Sequence, residues 1–321
     1  MSRRIPLWLT LVPLLAAGVI YWIFWTGWAR DFQAALEPWL PDSTLEITGF
    51  PYRLEANVAN PRLVTGDAVK ITASAAKARI NRGPWQPQLT VISAERPRFT
   101  AIVSPAIAAT ITGKSATTSI KIIDAKLARA SSIIAAANIS LAGMPITADS
   151  LELHLRERIP GPNADSAATP SAPIGPPRGQ LVIAGERLRF GTGDPLTLAA
   201  DIVATGPARL LAYDNWAATG TLELGSLTLT DAHGEIASAR ASFVPIGRTA
   251  LRFAGTITTI CPANVTAALQ GQAPVSEKRL RTPLKLTFEG RGADIRLTGI
   301  PADIATRPTR NQLPPCPALR R

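Results

Sequence analysis

From Ile5 to Ala29 the chain reads IPLWLTLVPLLAAGVIYWIFWTGWA, without one charged residue. A bilayer core about 30 Å thick needs roughly 20 apolar residues at a rise of about 1.5 Å each, so this run is long enough to span with some tilt. Arg3 and Arg4 precede it, and the positive-inside rule keeps that end in the cytoplasm. Trp8 lies near its start. Tyr21, Trp22, Phe24, Trp25 and Trp28 crowd its far end, where amphipathic rings settle at a membrane–water interface. A cleaved signal peptide is the alternative. The apolar run exceeds an h-region of about 7–15 residues, and no small-x-small cleavage site comes after it. Residues 1–29 are therefore read as an uncleaved single-pass anchor, with everything after Arg30 outside the cytoplasm.

The remaining ~290 residues exceed one compact core at about 100–200 residues per domain, which leaves two domains or one elongated sheet. The net charge is +11, but only 18% of residues are charged and 46% are hydrophobic. That balance describes a folded chain, not a disordered basic tail. A basic surface outside the cytoplasm favours lipid headgroups, lipopolysaccharide or acidic glycans, or is simply solvated. Cys261 and Cys316 are candidates for a disulfide in an oxidising compartment, though spacing alone does not bring their Cα atoms within bonding range.

Residues 30–44 place Phe32, Leu36, Trp39 and Leu40 at helical spacing before Pro41, which predicts a short juxtamembrane helix continuing from the anchor. Its apolar stripe either lies on the membrane or plugs one end of the sheet predicted after it. From Leu45 the period changes to 2, as in LEITGF, AVKITASAAKARI and PQLTVISAERPRFTAIV, with turns marked by Gly66, Asp67, Asn81, Gly83 and Pro84. This alternation predicts antiparallel strands with one apolar face over 45–159. SIIAAANI (residues 132–139) lacks clean alternation and fits helix or strand. Residues 160–178 are rich in Pro, Ala, Ser and Gly and are read as a loop. Strand patterns resume over 179–300, ANVTAALQGQ fits a short helix, and 301–321 is irregular. The expected fold is all-β: an elongated, curled antiparallel sheet, groove-like or open-barrel-like, in one piece or in two halves.

No catalytic constellation assembles. His154 alternates with Leu151, Leu153 and Leu155, which puts it on the opposite face from them, and His233 sits in the turn DAHGE. Neither shares metal-ligand spacing with the other or with a cysteine. Gly113-Lys114-Ser115 resembles the end of a P-loop, but Ala108 stands where the first glycine is required. No G-x-S-x-G elbow occurs, and carboxylates such as Asp194 and Asp201 are scattered. The basic residues have few aromatics among them, unlike a nucleic-acid stacking platform. The expectation is a protein that is not an enzyme, needs no cofactor or metal, and binds no nucleic acid.

At Gly49-Phe50-Pro51-Tyr52-Arg53-Leu54, followed by an Asn-Pro-x-Leu turn, the chain resembles the family known as domain of unknown function 2125. Gly83-Pro84-Trp85-Gln86-Pro87 and the stretch from Trp216 to Gly234 extend the resemblance. It implies a membrane-anchored envelope protein of Gram-negative bacteria: inner membrane, single-pass, bulk periplasmic. The strands also resemble those of AsmA-like periplasmic proteins, whose long sheet curls into a groove for acyl chains. That implies a lipid-handling or envelope-maintenance role, with inner-membrane lipid and a lipid or lipopolysaccharide-type ligand as partners. Pro314, Pro315, Cys316 and Pro317 depart from a more regular C-terminal end, and no functional residue carries over. From the residues themselves, Gly49 permits a bend, Pro51 restricts Phe50, and Tyr52 and Leu54 are expected to share a face. Alternation such as Ile71, Ala73, Ala75 leaves room on an inner face for apolar chains. The competing reading is the same sheet with a filled core, docking other envelope proteins.

Overall fold

The computed structural model describes residues 7–41, 45–66, 69–104, 107–123, 126–141, 143–157, 177–206, 213–248, 250–292, 294–298, 300–301 and 307–319. The side chains of 7–10, 103, 104, 107, 126 and 177 are outside that description, as is most of the Pro-, Ala- and Ser-rich stretch over 160–178.

The apolar run forms one helix, α1 (Leu7–Leu36), ending in a 3-10 turn (Glu37–Trp39). It is the one helix among the described residues long and apolar enough to cross a membrane. Anchor and juxtamembrane segments are thus a single rod, because nothing between Ala29 and Leu36 breaks the helix. All strand pairings are antiparallel. A first group comprises β1 (Ile47–Thr48), β2 (Leu54–Ala59), β3 (Arg62–Thr65), β4 (Lys70–Ser74), β5 (Lys77–Gly83), β6 (Gln86–Glu95), β7 (Arg98–Ser104), β8 (Ile107–Thr112) and β9 (Ser115–Ile123). Long strands come next: β10 (Lys126–Leu141), β11 (Met144–Glu157), β12 (Pro177–Phe190), β13 (Leu196–Thr205), β14 (Leu222–Asp231), β15 (Gly234–Ile246), β16 (Ala250–Thr259), β17 (Leu284–Arg291) and β18 (Asp294–Thr298). Two short helices are α2 (Tyr213–Ala217) and α3 (Pro262–Leu269).

The pairings resolve into one open meander. β1 and β2 continue through β5, β6, β9 and β10, then strand by strand to β18. β3, β4, β7 and β8 lie end to end with β2, β5, β6 and β9, and pair among themselves and with β10. No ladder joins β18 back to β1 among the described residues, so the sheet does not close into a barrel. The ladder from β11 to β12 pairs Leu151 with Gly185 and Glu157 with Gly179, so strand contact is continuous across the sequence gap between them.

The breaks between the short strands form a line. Asn60, Arg96, Ala136 and Arg187 have φ near 50°, each on every second strand of the meander. Backbone bonds cross between them: Asn60 N–H to Ala76 O, Ala76 N–H to Glu95 O, Arg96 N–H to Lys114 O and Lys114 N–H to Ala135 O, each 2.9 Å. Each of the four residues marks a break where the strand's alternation shifts by one. Neighbouring strands break together and keep their register, as in Ala135–Ser150 followed by Ala137–Ala148. Of the four only Arg187 lies at a bulge, between the Gly185 and Leu188 pairings with β13. SIIAAANI is strand throughout, and Ala136 is the reason its alternation fails: Ile134 and Ile139, of opposite parity, pack in the same cluster. Gly113-Lys114 sits on this line, as a corner between β8 and β9.

Candidate functional site

One face of the sheet is apolar from edge to edge. Starting at β1, cross-strand partners run Ile47, Ala56, Ile80, Ile92, Thr118 and Ser132. They continue through Leu153, Ile183, Ala200, Leu227, Ala239, Ile257 and Leu286. The two polar members satisfy each other, Thr118 Oγ1 and Ser132 Oγ lying 2.9 Å apart. The adjacent row, Val58, Ala78, Ala94, Ala116, Ile134 and Leu151, is again apolar and mostly small. Beyond the line of breaks the row Leu63, Ala73, Phe99, Ile111, Ile139 and Ile146 carries the face on. Ile71 and Ala73 are members of these rows, while Ala75 sits at the corner and bonds Pro61 O. The opposite face is polar: Asn57, Arg79, Ser93 and Thr117 are partners there.

Both ends of the apolar face are covered. At the β1 end, Trp25, Ala29, Phe32 and Leu40 of the helical rod pack on Leu54, Ala56, Val58 and Ile80. The stripe in residues 30–44 therefore plugs the sheet, apart from Trp39, which is exposed. Arg82 is the charged intruder in these rows; its guanidinium lies 4.8 Å from the centroid of the Phe32 ring, and burial lowers its pKa. At the far end, Val265 of α3 and Leu319 of the C-terminal segment pack on Leu196, Ile236 and Ile257. That segment is tied down at several points. Cys261 and Cys316 form a disulfide with Cα atoms 5.8 Å apart. Arg279 donates to the carbonyl of Pro314 at 2.9 Å. Asp194 Oδ2 accepts from Ala318 N–H at 2.6 Å. Between the two covers, Ile134, Ala137, Leu151 and Leu188 are buried, whereas Phe99, Ile122, Leu141 and Leu155 remain substantially exposed.

The aromatic end of the apolar run and the two hairpin motifs meet in one cluster. The Tyr21 hydroxyl donates to Pro51 O, and Trp25 Nε1 donates to Arg53 O at 3.3 Å. The Trp85 ring stacks on Tyr21 at 5.9 Å and meets Trp28 edge-on at 5.3 Å. Phe50 contacts the rings of both Tyr21 and Trp25. Trp22 is exposed on the helix, and Trp8 lies in α1 with its side chain outside the described residues. The motif from Gly49 to Arg53 is a turn closed by Arg53 N–H to Gly49 O, 3.0 Å, with a cis peptide between Phe50 and Pro51. Gly49 is required: its φ is +100°, and a Cβ would fall 2.7 Å from Arg53 O. Tyr52 and Leu54 do not share an environment, contrary to the alternation expected here. Tyr52 sits in the turn, exposed, while Leu54 opens β2 inside the core. Arg53 and Arg79 approach the buried Glu55 carboxylate at 3.3 and 3.4 Å on the polar face.

Polar chemistry is sparse. No group of three His, Cys, Asp or Glu suited to a metal exists among the described residues. His154 lies 3.3 Å from Glu152 on the polar face, and His233 N–H caps Asp231 at 2.8 Å. Two shallow pockets stand out. One of about 450 Å³ lies between Pro38, Trp39, Pro41 and Arg62–Thr65 of β3; another of about 300 Å³ is lined by Leu280, Thr282, Arg307 and Pro308. The single-sided rows were legible from alternation. Their continuity across the breaks was not, because each break inverts the parity.

A family model described as "Uncharacterized protein conserved in bacteria", domain of unknown function 2125, matches residues 42–258. No curated protein and no solved structure matches the chain.

Proposed function

We infer a function from the premise that this chain belongs to the domain-of-unknown-function-2125 family of bacterial proteins. It is a non-catalytic protein held in the inner membrane by α1, with its sheet in the periplasm, that binds or conveys lipid along its apolar face for envelope maintenance. Arg3 and Arg4 before the span, and the Cys261–Cys316 disulfide, support that orientation.

The carrying observation is the face itself. Apolar cross-strand rows run unbroken by any charge from Ile92 to Leu286, yet Leu155, Ile122 and Phe99 along it stay open. Half-exposed aliphatic surface of this extent has a driving force to be covered. An acyl chain laid on it gains about 0.8 kcal/mol per buried methylene, so ten methylenes contribute about 8 kcal/mol before ordering costs. An open, half-exposed apolar face suits a flexible chain better than a compact small molecule, which needs a concave pocket.

The test is native mass spectrometry of the full-length protein released from membranes, against a control carrying α1 alone. Phospholipid in excess of the control is expected. Ala109→Trp and Ala130→Trp, on the partly open face, should each lower it without lowering thermal stability. Lipid no greater than the control's, or unchanged in both variants, overturns the reading. The second reading, a module docking other envelope proteins, is favoured by the filled middle at Ile134, Ala137, Leu151 and Leu188; in that case a protein partner, not lipid, is retained.

A further inference from the structure

We propose that one rim of the sheet, formed by the turn at Phe50 and Tyr52, the turn at Trp85 and the adjoining ends of β9 and β10 at Ile122, Ile123 and Leu127, rests in the headgroup layer of the membrane that α1 spans. It takes anionic phospholipid headgroups as its partner. The proposal rests on the reading of α1 as a membrane span, and it identifies which end of the apolar face meets the bilayer.

The level of the bilayer is set by helix arithmetic. A core about 30 Å thick takes roughly 20 residues, so a span beginning at Ile5 ends near Phe24. Residues 11–20 are exposed all round, and Tyr21 is where α1 first touches the sheet. The segment that leaves the bilayer, Tyr21 to Trp28, is therefore the same segment bonded to Pro51 and Arg53 and stacked on Trp85. These two turns are fixed at the depth where the span ends.

The side chains that the rim exposes fit that depth. Tyr52 is 83% exposed, Trp85 69%, Phe50 48%, Ile122 43%, Ile123 39% and Leu127 37%. Large apolar groups at such exposure are unfavourable in water, and aromatic rings favour the interface. The ends of β9 and β10 join the same rim because β9 pairs with β6, placing Lys121 opposite Leu89, and β10 continues with Arg129 opposite Lys121. Strands about 4.8 Å apart put Leu127 within a few strand widths of Trp85. Arg53, Lys121 and Arg129 are exposed around these residues and supply positive charge for headgroup phosphates. Ile122 and Leu127 are also the outermost members of their strands' apolar rows, so the rim leads directly onto the inner face.

The experiment uses the full-length protein in vesicles of phosphatidylethanolamine and phosphatidylglycerol containing headgroup- or shallow-chain-spin-labelled lipid. Single fluorescent labels are placed through Tyr52→Cys, Ile123→Cys and, at the opposite end of the sheet, Val64→Cys. Quenching at the first two sites with none at Val64 is expected. Quenching that weakens when phosphatidylglycerol is omitted identifies the anionic headgroup as the partner. Equal quenching at all three sites, or none at Tyr52 and Ile123, overturns the proposal. Lipid retention in the native mass spectrum is read separately, so a rim in contact with the bilayer and an empty trough are distinguishable outcomes.

Discussion

The guanidinium of Arg279 is buried and donates to both carboxylate oxygens of Asp231, 48 residues earlier, at 3.2 and 2.5 Å. Asp231 closes the β14–β15 hairpin, and Arg279 also holds the carbonyls of Pro314 and Pro315. One ion pair therefore links the sheet to the segment covering its far end.

Truncating Arg279 strands a carboxylate that is itself nearly buried. Breaking a buried pair from one side costs about 3–5 kcal/mol. Arg279→Ala is expected to lose that much stability, read from a lowered thermal midpoint of the solubilised full-length protein. A midpoint equal to wild type would show that the pair contributes nothing.

The same contact shapes the acid limb of stability. Burial alone would push the Asp231 carboxyl up, but hydrogen bonds from Arg279 and His233 N–H hold it below the ordinary aspartate value. With the folded pKa depressed, the unfolded chain binds protons more readily. Stability is thus present above the ordinary value of about 3.9 and is lost as pH falls through the folded one. Glu277 runs the other way. Burial raises its pKa despite hydrogen bonds from Ala263 and Asn264 N–H, so its contribution is lost as pH rises from about 4.3 through the raised value. Glu277→Gln should remove that second slope and leave the first, as measured by thermal midpoints across an acid pH series.

Gly220 lies under the indole of Trp216, where a Cβ would fall 2.2 Å from Nε1. Trp216 is buried and donates to Thr205 O at 2.7 Å, so it cannot give way freely. Overpacking of this kind costs about 1–3 kcal/mol. Gly220→Ala should show that loss, whereas a residue free to shift would show none.

At the positive-φ breaks the usual sign of a glycine substitution reverses. Glycine within a strand ordinarily costs about 0.5–1 kcal/mol. Ala136, however, sits at φ 50°, where an L side chain is itself disfavoured by about 1–2 kcal/mol. Ala136→Gly is expected to be neutral or stabilising by up to about 1 kcal/mol, while the same substitution at Ala130, in regular strand, destabilises. Equal losses at the two positions in thermal unfolding would remove the strain assigned to the positive φ of Ala136.

The period-2 runs and the uncharged 5–29 stretch determined the class of fold. An apolar side chain on every second residue can be buried only on one side of a sheet, and a charge-free helix of that length is long and apolar enough to cross a membrane. The turn residues Gly49 and Gly83 likewise marked real corners. Only tertiary structure decided where the parity inverts: Asn60 is of a type that tolerates positive φ, but Arg96, Ala136 and Arg187 carry no local preference that announces a break. They adopt it where neighbouring strands break at the same level and backbone bonds across the line stay paired. The same holds for Tyr52 and Leu54, parted by a turn, and for Arg279 with Asp231. Local pattern reports the burial of each residue relative to its own strand. Which strands and termini come together is set by long-range packing, which sequence spacing does not encode.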